Sequence, residues 1–311
     1  MSKILVTGGA GFIGSNLVDK LISLDHQVVI IDNLFSGKKD YLNKLATFYQ
    51  VDINNKEKVS EIFNQEKFDY VYHLAAQIDV RKSVEDMAFD NQVNILGALN
   101  ILENCYKNKV KKIIFASSGG AAYGFPEEIP TPESSPTNPV SPYGINKLCF
   151  EKYLNYYYKV FGQKYSICRL ANVYGPRQYK GGEAGVIAIF INNAVENKTS
   201  YVYGDGLQTR DFVYVDDVVD AFVANLDEDI VGIFNIGTGI EKTLLDIISA
   251  IEKSIGDKVK VEFQEAKLGE ERRSCLKTDL AKGVLNWKAR VDLEEGIKRT
   301  LNWSRNQLKL N

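Results

Sequence analysis

The chain has 311 residues, 45% of them hydrophobic and 25% charged, which is enough to build a large core and a second lobe. Its 40 acidic and 38 basic residues nearly cancel, which argues against a nucleic-acid footprint, and no apolar run approaches the roughly 18 residues a membrane span needs. The N-terminus enters an apolar strand at once, leaving no room for a signal peptide, so a cytoplasmic protein is expected.

The first strand, Ile4 to Thr7, runs into the loop Gly8-Gly9-Ala10-Gly11-Phe12-Ile13-Gly14 and then into a helical pattern from Ile13 to Leu24. Gly8 permits a tight turn, Gly11 lets backbone approach a pyrophosphate at the helix N-terminus, and Gly14 lets that helix pack against the sheet. The second strand, Val28 to Asp32, ends in an acid about 20 residues beyond the loop, where ribose recognition needs one. Asp32 can accept from both ribose hydroxyls and would repel a 2′-phosphate, which favours NAD over NADP despite Lys38 and Lys39 nearby. The other reading of Asp32 is a turn residue closing a strand.

Further strands are expected at Thr47 to Val51, Tyr70 to His73, Lys112 to Ser117, Ser166 to Leu170 and Ile233 to Ile236. Between them fall amphipathic helices, notably Val59 to Gln65, Asn91 to Lys107 and Pro142 to Phe161. This alternation predicts an α/β fold, a Rossmann-type doubly wound parallel sheet with right-handed crossovers. The periodicity loosens after Tyr174-Gly175-Pro176-Arg177, and 178 to 185 reads as a mobile loop. The expected division is a dinucleotide-binding domain over 1–173, to which a segment near 205–237 returns, and a smaller substrate lobe from 174–204 and 238–311. Cys105, Cys149, Cys168 and Cys275 form no C-x-x-C pair and read as reduced packing residues; with only 2 histidines, no metal site is expected.

Tyr143 and Lys147 lie one helical turn apart and so share a face. A lysine ammonium there would lower a tyrosine pKa that is ordinarily about 10, making the phenol a proton acceptor for hydride-transfer chemistry. Taken singly, that spacing also suits a helix that buries an aromatic ring and exposes a lysine.

The glycine loop, Asp32-Asn33-Leu34, Asp52-Ile53, His73-Leu74-Ala75-Ala76-Gln77, Asn94, Ser117 to Gly124, Tyr143 to Lys147, Arg169 to Pro176 and Gly204 to Asp216 together carry a family likeness. The chain resembles the extended short-chain dehydrogenases/reductases, the NAD-dependent epimerase/dehydratase group, and among them the nucleotide-sugar 4-epimerases. The resemblance implies that Tyr143 is the base and that Lys147 binds the nicotinamide ribose. It also implies that Gly8, Gly11, Phe12, Ile13, Gly14, Asp32, Asn33, Asp52, Ile53, Leu74, Ala75, Ala76, Gln77, Asn94, Ser117 and Val173 line the NAD cleft. Asn172, Tyr201, Tyr203, Arg210, Lys267, Glu270, Arg272 and Ser274 match positions that hold a UDP-sugar, with Arg272 a substitute for the arginine that Lys267 replaces.

One position departs from the family. Where many members carry a serine or threonine on the reacting sugar hydroxyl, this chain has Gly119, and Ser118 is the nearest hydroxyl. Related dehydratases and decarboxylases place acids in this run, whereas Gly119 and Gly120 offer none. The implied activity is therefore interconversion of UDP-glucose and UDP-galactose at C4 through a 4-keto sugar, with UDP-GlcNAc a second substrate because Ser274 is small. Another epimerase, dehydratase or decarboxylase of the scaffold, or an NAD-binding regulatory protein without catalysis, are the competing readings. A homodimer is implied through two helices per subunit, with Leu96, Leu99 and Leu154 as available apolar residues.

Overall fold

The computed structural model describes residues 1–178, 185–266 and 271–310. Most of the loop expected at 178–185, together with Lys267 and Glu270, lies outside the described residues. In chain order the strands are β1 (Lys3–Thr7), β2 (Gln27–Asp32), β3 (Thr47–Gln50), β4 (Tyr70–His73), β5 (Lys112–Ser118), β6 (Lys164–Leu170), β7 (Asn172–Tyr174), β8 (Ser200–Tyr203), β9 (Thr209–Tyr214), β10 (Gly232–Ile236), β11 (Glu241–Thr243), β12 (Val261–Gln264) and β13 (Arg273–Ser274).

Seven strands form one parallel sheet in the order β10-β6-β5-β4-β1-β2-β3. Both of its faces are covered, which is why its strands read as nearly continuous apolar runs. Side chains still alternate: Ile4 and Val6 join one core cluster with Leu17, Leu21 and Phe222, while Leu5 joins the opposite cluster with Phe63, Leu102 and Phe150. Strand order turns about β1, flanked by β2 and β4, so a crevice opens at the carboxyl ends of these strands.

The helix Pro142–Phe161 shows its local determinants plainly. Ser141 caps it by accepting from the Gly144 N–H at 3.1 Å, Pro142 begins the first turn, and Gly162 ends it in the left-handed region at φ 74°. The helix expected over Asn91 to Lys107 is instead broken by geometry. Met87–Asn91 is α-helical, Gln92–Gly97 is π-helical, and Ala98–Lys107 returns to α. Such wide turns gather at functional sites.

A second sheet is built around β9, which pairs antiparallel with β11 and parallel with β13 and β7, while β8 and β12 form a separate parallel pair. Of the stretch 205–237, β10 extends the central sheet beside β6, whereas β9 is the centre of the second sheet. Among the described residues no helix is long and apolar enough to cross a membrane. Cys105, Cys168 and Cys275 are buried, and all 4 cysteines are free thiols.

Candidate active site

A cavity of about 370 Å³ opens at the carboxyl ends of β1, β2, β4 and β5. Its wall includes Gly8, Gly11, Phe12, Ile13, Gly14, Asp32, Asn33, Asp52, Ile53, Leu74, Ala75, Ala76, Gln77, Ser117, Tyr143 and Lys147. Gly8 has φ 73°, and a Cβ there would sit 2.7 Å from the Ala75 nitrogen, so both conformation and space demand glycine. A Cβ on Gly14 would collide with the Gly8 carbonyl. No side chain caps the helix Phe12–Ser23, whose N-terminus at Gly11 faces the cavity and is open to an anion.

Asp32 is buried, its carboxylate accepting from the Leu34 N–H at 2.8 Å and the Ala10 N–H at 3.0 Å. Burial pushes its pKa up against those two bonds. Asp52 is held by Asn33 Nδ2 at 2.8 Å and by the backbone and side chain of Asn54 at 2.8 and 2.9 Å. Burial works to raise its pKa, but the bonds from Asn54 and Asn33 outweigh it and keep the carboxyl low. An uncapped helix end beside two carboxylates on adjacent strand ends suits a dinucleotide.

Asn94 and Val173 are not part of this wall. Asn94 is buried behind it, donating to the Gln77 carbonyl at 2.9 Å and accepting from the Gln77 N–H at 3.1 Å. Its wide helical turn thereby pins the loop that follows β4. Asp90, fully buried, collects Gln77 Nε2 at 2.7 Å, Asn94 Nδ2 at 3.0 Å and Asn146 Nδ2 at 2.6 Å. Sequence reading missed Asp90, whose only signal was its place one turn before Asn94.

Tyr143 and Lys147 share one face of Pro142–Phe161, with the lysine Nζ 5.8 Å from the tyrosine ring centre and donating to the Ala116 carbonyl at 3.0 Å. The expectation that Lys147 lowers the phenol pKa does not hold for the chain alone. Burial, then the Asp90 carboxylate, drive Tyr143 well above its ordinary value, and only a hydrogen bond with Ser118 opposes them. Lys147 is itself pushed down to about 8 by burial, against Asp90 and Glu151.

Glu151 continues the same helical face one turn further. It accepts from Ser117 Oγ at 2.6 Å and from Arg169 Nε and Nη2 at 3.1 and 2.6 Å, with both charged side chains almost fully buried. Ser117 thus lines the cleft with its hydroxyl committed to Glu151. The spacing Tyr143, Lys147, Glu151 was visible in the sequence, but the partner on β6 was not.

Ser118 caps the short helix Gly119–Ala122, accepting from the Ala121 N–H at 3.3 Å. A Cβ at Gly119 would lie 2.6 Å from Leu276 Cδ1, so a side chain there requires that buried leucine to shift. Gly120 is different: its Cβ would find Ser274 Oγ at 3.9 Å and nothing closer. Ser274 is in register with Arg210, whose Nη1 donates to the Thr209 carbonyl at 2.8 Å, and beside them Glu271 hydrogen-bonds Ser274.

Asn172 is exposed on β7, and Tyr201 and Tyr203 face outward on β8 while Val202 enters the core. Arg272 is engaged elsewhere, in a bidentate pair with Asp205 at 3.0 and 2.7 Å, and Arg273 pairs in the same way with Glu241. Among the described residues no cluster of metal-ligating side chains occurs.

A glycine loop, a buried acid at the end of β2 and a Tyr-Lys pair, gathered at the carboxyl ends of a parallel sheet, define a short-chain dehydrogenase/reductase type of site. The chain belongs to the NAD-dependent epimerase/dehydratase family, whose model matches residues 4–237, and NAD is its cofactor. It is 46% identical over 305 residues to a putative UDP-glucose 4-epimerase of Methanocaldococcus jannaschii, covering 97% of this chain and 98% of the relative. The crystal structure of Thermotoga maritima UDP-glucose 4-epimerase with UDP-glucose superposes at a TM-score of 0.96 and 44% identity, over 98% of this chain and 99% of that one. The Thermus thermophilus UDP-glucose 4-epimerase complex with NAD gives 0.92 and 40%, over 97% and 99%. A UDP-N-acetyl-alpha-D-glucosaminuronate decarboxylase of Bacillus cytotoxicus is 36% identical over 97% of this chain and 98% of its own length. The chain is thus an enzyme of the UDP-sugar epimerase group, in a family that also runs other reactions.

Proposed function

We propose that this chain interconverts UDP-glucose and UDP-galactose by 4-epimerisation, with UDP-GlcNAc and UDP-GalNAc as a second substrate pair. The observation that carries this reading is the half-buried Tyr143 and buried Lys147 beside Ser118, next to a Gly119-Gly120 pair that offers no acid. Elimination or decarboxylation asks for a further acid-base group on that run; epimerisation needs only one group that removes and returns the same proton.

Tyr143 takes the proton of the sugar 4′-hydroxyl as C4 is oxidised to a ketone and gives it back when C4 is reduced from the other face. Bound NAD supplies the hydride acceptor and, when oxidised, a ring cation that favours the phenolate which burial alone disfavours. Ser118 holds the phenol oxygen, and Lys147 is anchored on the Ala116 carbonyl where it can reach a ribose hydroxyl. The glycine loop with Asp32 and Asp52 holds the dinucleotide. Arg210, Asn172, Tyr201, Tyr203, Lys267, Glu270 and Ser274 hold the UDP-sugar, and Arg272 closes the outer edge through Asp205. In this reading 1–173 with β10 carries the cofactor and the remaining segments carry the sugar nucleotide. A cytoplasmic homodimer is part of the proposal.

Incubation with UDP-glucose, UDP-galactose and their N-acetyl forms without added NAD, followed by NMR of the sugars, tests it. Equilibrium mixtures of the C4 epimers are expected. A 4-keto-6-deoxy product, or carbon dioxide released from a uronic acid form with no turnover of the neutral sugars, would replace the epimerase reading by a dehydratase or decarboxylase.

A further inference from the structure

Two aromatic rings meet across the mouth of the cofactor cleft. Phe35 stands in the loop after β2, and Phe89 in the helix Met87–Asn91 that follows β4, so the rings come from opposite sides of β1 and its glycine loop. Their centres are 6.0 Å apart at 48°, and both rings line the cavity. Lys82, on the helix Val80–Glu85, places its ammonium 4.7 Å from the Phe35 ring centre and 4.8 Å from that of Phe89.

The positions of these groups are fixed locally. Asp79 caps the helix of Lys82, accepting from its N–H at 3.0 Å, and Asp86 caps the next helix, accepting from the Phe89 N–H at 2.9 Å. On the other side Asp32 accepts from the Leu34 N–H, setting the turn just before Phe35. Phe35 is 69% exposed, so its ring contributes little to the core and its contacts are those across the cleft. A cation within reach of two rings is attracted by both, and the aromatic pair adds its own preference for a tilted arrangement.

We infer that Phe35, Lys82 and Phe89 form a strap over the cleft that slows release of the dinucleotide, keeping NAD on the protein between turnovers. The inference rests on the NAD dependence of the family and not on which sugar is turned over. Retention suits a reaction that returns its hydride in every cycle. The strap must part for the cofactor to leave, so its contacts add to the barrier for dissociation rather than to the chemistry.

The test follows NAD retained by the purified holoprotein during repeated desalting, read by acid extraction and absorbance, in the parent, Phe35→Ala, Phe89→Ala, the double variant and Lys82→Met. Circular dichroism confirms the fold, and Phe35→Tyr keeps a ring. Each alanine variant is expected to lose NAD about tenfold faster, because the lost contacts belong to that energy class. The double variant is expected to be no faster than either single one, Lys82→Met intermediate, and Phe35→Tyr parental. Unchanged loss in the alanine variants or in Lys82→Met would overturn the strap. So would multiplied acceleration in the double variant, since that describes two independent wall contacts.

Discussion

Tyr143, the proton acceptor of the proposed reaction, sits where its own environment opposes ionisation. Burial and Asp90 raise its pKa, and Ser118 alone lowers it. Tyr143→Phe should therefore cut kcat by about a hundredfold or more while NAD content stays at the parental level; assays and extracted cofactor check both. Ser118→Ala should lower kcat more than it raises KM, since a bond to oxygen that gains charge matters most in the transition state. Restoring the family hydroxyl by Gly119→Ser should not rescue that variant, because the new Cβ meets Leu276; adding Leu276→Ala should make the rescue visible in kcat. Glu271 supplies a pH test. Burial raises its carboxyl to about 7 against the pull of Arg210 and the bond from Ser274, so it is neutral below that pH and an anion above it. If Arg210 holds the diphosphate as proposed, an anion there competes for it. KM for the UDP-sugar should accordingly rise between about pH 6 and 8, and Glu271→Gln should flatten the profile.

At the scale of elements, the Glu151–Arg169 pair ties the helix carrying Tyr143 and Lys147 to β6 and fixes Ser117 on β5. Glu151→Ala would strand a buried guanidinium, and urea denaturation should show a loss of about 3–5 kcal/mol. The central strands were legible in the sequence because seven apolar runs between turn residues leave little choice of structure, as Ile4 to Thr7 and Tyr70 to His73 illustrate. The second sheet was not. β11 and β13 have 3 and 2 residues with no clear alternation, and β9 acquires them from segments far along the chain. The site divides in the same way. The glycine loop, Asp32 and the Tyr-Lys pair announce themselves by spacing, whereas Asp90 and Arg169 matter through partners that only tertiary packing supplies. The π-helical stretch likewise leaves no mark in the apolar pattern of Asn91 to Lys107.

For the molecule as a whole, the outer face of Pro142–Phe161 is the place to look for a second subunit. Tyr156, Val160 and Phe161 are exposed there, with exposed Tyr106 packed on Phe161, and Leu96 is exposed as well, whereas Leu154 is fully buried and Leu99 packs against the core, so neither of the latter is available. Sedimentation should give twice the 34.9 kDa chain mass, and Tyr156→Glu with Val160→Glu should shift it to one.

The place of β9 has a consequence for how this protein can be divided. Residues 1–237 contain every strand of the seven-stranded sheet and both groups of the Tyr-Lys pair, and so look like a complete module. Yet β11 and β13, which cover Thr209 to Asp211, and Leu276, which closes over Gly119, all come later in the chain. A chain stopped at 237 would leave the edges of β9 at Thr209 to Asp211 bare and open to pairing with other molecules. The segments after 237 are thus not an appendage that could be exchanged like a cassette; they finish a sheet and a packing contact that the earlier residues begin.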